Sequence, residues 1–148
     1  MYETVRGELS FCELNPRALD GPMPGKRGHT MIRLPRAAVW AIAIFLGVAF
    51  VAVGMSKVGG ASAMRWAERF QHWGYPAHAE KVVGLFEILG GLGVLMPGWR
   101  RAASLALGAL MIGALGTHAL HAEFPRVVPP LVLGGLASLM YLSHGRER

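Results

Sequence analysis

Four apolar runs, separated by polar connections of unequal length, organise the chain beyond residue 36. They cover Ala37–Ser56, Ala79–Met96, Ala102–Leu120 and Val127–Ser143. A helix needs roughly 17–25 apolar residues to cross a bilayer core, and the first three runs meet this. The fourth is the weakest, because Pro129 and Pro130 stand near its start. Proline is tolerated there because the first helical turn has no internal partner for its N–H groups. The pattern predicts an all-α protein, a four-helix transmembrane bundle of two in–out–in hairpins.

The connections differ in kind. The first, "KVGGASAMRWAERFQHWGYPAH", carries its own periodicity. Over Ala61–Trp73 it sets Met64, Trp66, Phe70 and Trp73 towards one side and Arg65, Glu68 and Arg69 towards the other. That predicts a short helix between spans 1 and 2, lying in the membrane interface with Trp66, Trp73 and Tyr75 as anchors; a plain loop is the simpler alternative. The second connection, "PGWRR", is tight, and the third is "HAEFPRVVPP".

Residues 1–30 are polar, contain Pro16, Pro22 and Pro24, and show no periodicity. They read as a flexible cytoplasmic tail or as an extension ahead of a natural start at Met31, where a basic flank leads at once into the first apolar run. Residues 31–148 form the membrane domain. Ten of the 15 Lys/Arg residues lie before the first span, at Arg100 and Arg101, or at Arg146 and Arg148. Lys57, Arg65, Arg69, Lys81 and Arg126 lie on the other side. The excess marks the cytoplasmic face, so both termini are expected inside and the interfacial helix outside.

Composition sharpens this picture. Hydrophobic residues make up 53% of the 148 and charged residues 16%, against about a quarter charged in soluble domains. The 20 glycines fall mostly within the apolar runs, where they let helices approach closely. The net charge of +6 does not indicate nucleic acid, since the basic residues flank apolar runs and form no stripe with interleaved aromatics. The single cysteine, Cys12, excludes a disulfide within the chain. Two pairs of segments also resemble each other, residues 46–57 with 107–118 and residues 89–96 with 133–140, a pattern compatible with duplicated hairpins.

The candidate chemistry lies in the few ionisable residues within these runs. "VVGLFEILGGLGVLM" (82–96) holds one charge, Glu87. A charge at the centre of a span costs roughly 2.5–3.5 kcal/mol on insertion scales, so such a residue is a functional candidate by default. Gly84, Glu87 and Gly91 share one helix face, which turns Glu87 towards another helix. Seven or eight residues from the helix start, it lies at a depth of ~12 Å. Lys57, on the face of Gly47 and Gly54, ends the first run within reach of that depth. His118, beside Thr117 and one turn before His121, ends the third. Lys57, Glu87, Thr117 and His118 are therefore expected to line an outer-facing polar pocket serving a ligand or a proton relay, with His121 secondary. The plainer alternatives are a structural polar bond for Glu87, a snorkelling Lys57, and interfacial histidines. No further ligand cluster completes a metal or haem site around His118 and His121, so no metal is expected.

"FVAVGMSK", "FQHWGYP", "VVGLFEILGGLGVL" and "RRAASLALGALMIGALGTH" follow one another in an order that resembles the DoxX and DoxX-like family of small four-helix membrane proteins. The resemblance covers about residues 33–143. It implies a multi-pass protein of the bacterial cytoplasmic (inner) membrane, linked to a quinone- or thiol-dependent oxidoreductase system, since the family takes its name from a subunit of a thiosulfate:quinone oxidoreductase. The recurring polar positions fall on Lys57, Glu87 and His118, and the resemblance carries no catalytic role to any of them. The chain has no haem, flavin or iron–sulfur motif, so quinone is the one cofactor expected, and electrons must come from a membrane or soluble redox partner. The alternative is a non-catalytic accessory or assembly subunit that packs its glycine-rich faces against a larger complex or another copy. Small-molecule transport ranks below both, since four spans leave little room for alternating access.

Overall fold

The computed structural model describes residues 34–143; the tail, Cys12, Arg146 and Arg148 lie outside them. Among the described residues the chain is helical, without strands: α1 (Arg36–Val58), α2 (Ala61–His72), α3 (Ala79–Leu95), α4 (Arg100–Leu120) and α5 (Val128–Ser143), with a 3-10 turn at Phe124–Arg126 leading into α5. Three of these stretches are long and apolar enough to cross a membrane, Arg36–Val58, Arg100–Leu120 and Phe124–Ser143.

The last run, expected to be the weakest, forms the shortest of the four long helices, with 16 residues in α5. The last run gains length because the 3-10 turn winds almost directly into α5, with Pro129 and Pro130 in the first turn. The second run is nearly as short: α3 has 17 residues, about 25 Å of rise. It stops where Met96 turns extended (φ −90°, ψ 114°) ahead of Pro97, since the residue before a proline is pushed out of the helical region.

α1 packs along α3 and α4 along α5, while α3 also meets α4 and α1 touches α5. The first of these contacts is made by glycine. A Cβ on Gly54 would lie 2.5 Å from the Gly84 carbonyl oxygen, and one on Gly84 would lie 2.8 Å from the Gly54 carbonyl oxygen. A Cβ on Gly91 would lie 3.0 Å from the Gly47 carbonyl oxygen. Gly54 meets Gly84 while Gly47 meets Gly91, so the two helices run antiparallel. The glycines repeat every seven residues on both helices, the spacing that keeps a straight seam in register.

α2 was expected as a short helix over Ala61–Trp73, and it forms at Ala61–His72. Gly60 (φ +78°) and Gly74 (φ +80°) bracket it with conformations that a side chain strongly disfavours. The outward faces of the long helices carry Ile44, Phe45, Val48, Leu85, Phe86 and Ile112, each more than half exposed. Such faces suit hydrocarbon and would be a liability in water.

Candidate functional site

The centre of interest lies where α1 and α3 cross, towards the end that α2 covers. A Cα–Cβ bond tilts towards the N-terminus of its own helix. Because α1 and α3 are antiparallel, the Lys57 stem heads down into the bundle while the Glu87 side chain leans up to meet it. Gly84 lies between them: a Cβ there would come within 2.9 Å of the Lys57 Cβ. Without that side chain the lysine stem passes, and its Nζ donates to both carboxylate oxygens of Glu87, at 2.5 Å to Oε1. The pair is sealed, with Lys57 5% and Glu87 3% exposed. Lys57 therefore does not snorkel to the interface.

α2 forms the cover. The Lys57 ammonium lies 4.7 Å from the centre of the Trp66 ring, and the Arg69 guanidinium lies 4.8 Å from it; both contacts draw on the negative face of the indole. The Trp66 indole N–H donates to the Ser56 hydroxyl at 3.1 Å, and Ser62 donates to the Ser56 carbonyl at 2.8 Å. Two hydrogen bonds and a cation–π contact thus fasten α2 over the ion pair. Further along α2, the buried Phe70 packs against Trp66, Trp73 and Tyr75.

Thr117 and His118 take other partners. Thr117, 8% exposed, donates to the Gly113 carbonyl at 3.0 Å. Its hydroxyl also shares a 2.7 Å hydrogen bond with the Tyr75 hydroxyl, which ties the α2–α3 connection to α4. The His118 Nδ1 lies 2.9 Å from Glu123 Oε2, and its ring stands edge-on to Trp73 at 5.3 Å. Burial pulls the Glu123 carboxyl up, but the His118 hydrogen bond and the charges of Arg126 and Arg69 outweigh it and hold the group below its ordinary value. His121 is exposed and lies 6.1 Å from Trp73. The expected four-residue constellation therefore divides into a sealed Lys57–Glu87 pair, covered by Trp66 of α2, and a Thr117–His118 cluster met by Trp73 and Tyr75 just beyond α2. Among the described residues no three or more His, Cys, Asp or Glu side chains are grouped to hold a metal ion.

Two buried ionisable residues escaped the reading of the sequence. Arg100, counted there as a flanking charge, is 0% exposed. Its Nε donates to the Val94 carbonyl at 3.0 Å, and its guanidinium lies 4.6 Å from the Trp40 ring. Glu80, in the first turn of α3, is 2% exposed. Its signal was present in the spacing, for Glu80 falls on the stripe of Gly84, Glu87 and Gly91.

On the neighbouring face of α3 lies a cavity of about 340 Å³, open to the surroundings and shared with α4. Phe86, Leu89, Gly90 and Gly93 line it from α3, and Ala106 and Leu110 from α4. Its walls are almost wholly apolar.

Apolar helices joined through glycine contacts around a sealed ion pair define a small helical membrane protein. A family model described as the DoxX-like family matches residues 41–140, and the chain belongs to that family. Neither the curated proteins nor the solved structures compared with it give a match.

Proposed function

We propose that the protein is a membrane subunit linked to a quinone- or thiol-dependent oxidoreductase system, and that the Lys57–Glu87 pair is its ligand- or proton-handling centre. In this reading α1, α3, α4 and α5 all cross the bacterial inner membrane, with both termini cytoplasmic and α2 on the outer interface. The observation that carries it is the burial of a lysine and a glutamate between two apolar helices. Intramembrane charge is expensive and clusters on substrate and proton pathways. The apolar cavity between α3 and α4 supports a quinone in particular. It offers a place for an isoprenoid tail beside Phe86 and Gly90, which flank Glu87 in the sequence. The electrons come from a partner protein.

Ubiquinone titration of the protein purified in mild detergent tests the proposal. Saturable binding is expected, weakened at least tenfold in Glu87→Gln. That substitution keeps the shape of the side chain but removes its charge, and with it the ion pair that orients Lys57. Absence of saturable binding removes the quinone reading. One observation favours a second reading, that of an accessory subunit. Gly108, Gly113 and Gly116 of α4 have open space where a Cβ would be, the kind of surface on which another membrane helix docks. Stoichiometric co-purification of a larger complex, with no quinone binding, would select that reading.

A further inference from the structure

The Lys57–Glu87 pair is sealed, yet a centre that handles protons must meet water. Three helices close it in. α1 and α3 carry the two side chains, and they cross so tightly that a Cβ on Gly54 or Gly84 would lie within 2.8 Å of the other's carbonyl oxygen. Close packing of this kind leaves those two helices little room to part. The third is α2, which lays the Trp66 ring over the ammonium at 4.7 Å.

α2 is held far more lightly. Of its 12 residues only Phe70 is buried, and elements with few buried apolar contacts open locally at low cost. It leaves α1 through Gly59 and Gly60, where an added Cβ would meet nothing within 4 Å. A short segment at the end of an element, free of packing, is the usual site at which a hinge absorbs its change of dihedral. Beside that hinge two hydrogen bonds converge on Ser56, from the Trp66 indole N–H to its hydroxyl and from the Ser62 hydroxyl to its carbonyl.

The far end of α2 runs into the connection 74–78, exposed throughout. Among the described residues, one hydrogen bond ties that connection to α4, the 2.7 Å contact between the Tyr75 and Thr117 hydroxyls. Tyr75 also packs on Phe70, with ring centres 5.4 Å apart, so the bond holds the one buried side chain of α2 in place. Neither Tyr75 nor Thr117 is hydrogen-bonded to Lys57 or Glu87.

We propose that α2 is a lid over the Lys57–Glu87 pair, hinged at Gly59–Gly60 and caught at its free end by the Tyr75–Thr117 hydrogen bond, and that water reaches the ammonium from the α2 side when the catch releases. The inference rests on the reading of the pair as a proton-handling centre and gives that centre its route to water. It also assigns a part to Thr117, which lies away from the pair: it holds the lid shut.

The test is acetylation of Lys57 by a water-soluble ester in the full chain in lipid nanodiscs, followed by mass spectrometry of the Lys57 peptide. Lys81, exposed at the same end of the bundle, reports the reactivity of the reagent. Lys57 is expected to react far more slowly than Lys81, at a rate that stays flat as urea rises below the unfolding transition. A local opening gives that flat response, whereas global unfolding responds steeply to denaturant. Tyr75→Phe keeps the ring against Phe70 and removes the catch, and it is expected to speed Lys57 acetylation by about two- to tenfold, the effect of one net hydrogen bond. Thr117→Val takes its place if that variant does not fold. A Lys57 rate that follows global unfolding overturns the lid, and so does a rate equal to that of Lys81. A wild-type rate in Tyr75→Phe, or in Thr117→Val where it replaces it, overturns the catch. Ubiquinone titration is a separate readout: its failure in the wild type would end the quinone reading and leave the labelling result to stand.

Discussion

Replacing Glu87 by leucine is expected to destabilise the protein by roughly 3 kcal/mol, while the double substitution Lys57→Met/Glu87→Leu is expected to recover most of that loss. The single change strands an ammonium at a site only 5% exposed. A buried charge that loses its partner typically costs about 3–5 kcal/mol, and a central charge in a span roughly 2.5–3.5 kcal/mol on insertion scales. The lower end applies here, because Lys57 is one residue from the end of α1 and can withdraw towards the interface once released. The double substitution restores matched apolar surfaces, and replacing a buried pair in this way is often neutral or better. An ordinary interhelical hydrogen bond would behave differently, since such bonds average only about 0.6 kcal/mol in membrane double-mutant cycles. Denaturant titration in detergent of the two single variants and the double variant distinguishes the cases. Additive losses would mean that the two side chains do not act as a pair.

The second large effect is one of sign. Gly54→Ala is expected to cost about 2–3 kcal/mol, whereas Gly113→Ala is expected to be neutral or to stabilise by up to about 1 kcal/mol. Helix propensity favours alanine over glycine by about 1 kcal/mol at both positions. At Gly113 nothing opposes that preference, for the space is open. At Gly54 the new methyl would lie 2.5 Å from the Gly84 carbonyl oxygen and 2.8 Å from Ile88 Cγ1. Ile88 can turn away, but the backbone carbonyl cannot, so α1 and α3 must part. Overpacking of this kind costs about 1–3 kcal/mol. The parting would also loosen the Gly47–Gly91 approach and lengthen the Lys57–Glu87 bond. Thermal unfolding of both variants in the same detergent decides the matter, and equal shifts would contradict the close crossing.

The parts of the site legible in the sequence were those governed by helical spacing. Gly84, Glu87 and Gly91 on one helix and Gly47, Gly54 and Lys57 on the other define facing stripes, and the depth of Glu87 brought Lys57 into range. The α2 helix was legible for a similar reason, since paired glycines and an alternation of aromatic and charged residues mark its ends and faces. His118 lay beyond that logic. Its partner, Glu123, is delivered by a local reversal in which Ala122 takes a left-handed conformation (φ +55°) and the Glu123 N–H bonds back to the His118 carbonyl at 2.9 Å. Alanine is not a residue whose presence announces such a turn. Arg100 was read by its position beside a loop, and counting flanking charges cannot reveal that a tryptophan sixty residues earlier covers the guanidinium. Glu80 was obscured by His78 and Lys81, which give the start of α3 the look of a solvated helix end. The extents of α3 and α5 were legible to within a residue, because Pro97 closes the one run and Pro129 and Pro130 fall in the first turn of the other, where proline is tolerated.

The claim on which everything else depends is that a lysine and a glutamate are joined inside the bundle, away from lipid and bulk water. Solid-state NMR in lipid bilayers, measuring the distance from Lys57 15Nζ to Glu87 13Cδ, tests it directly. A direct hydrogen-bonded pair requires a separation below about 4 Å. A separation beyond roughly 6 Å, together with magnetisation transfer from acyl chains to the Glu87 carboxyl, would contradict it.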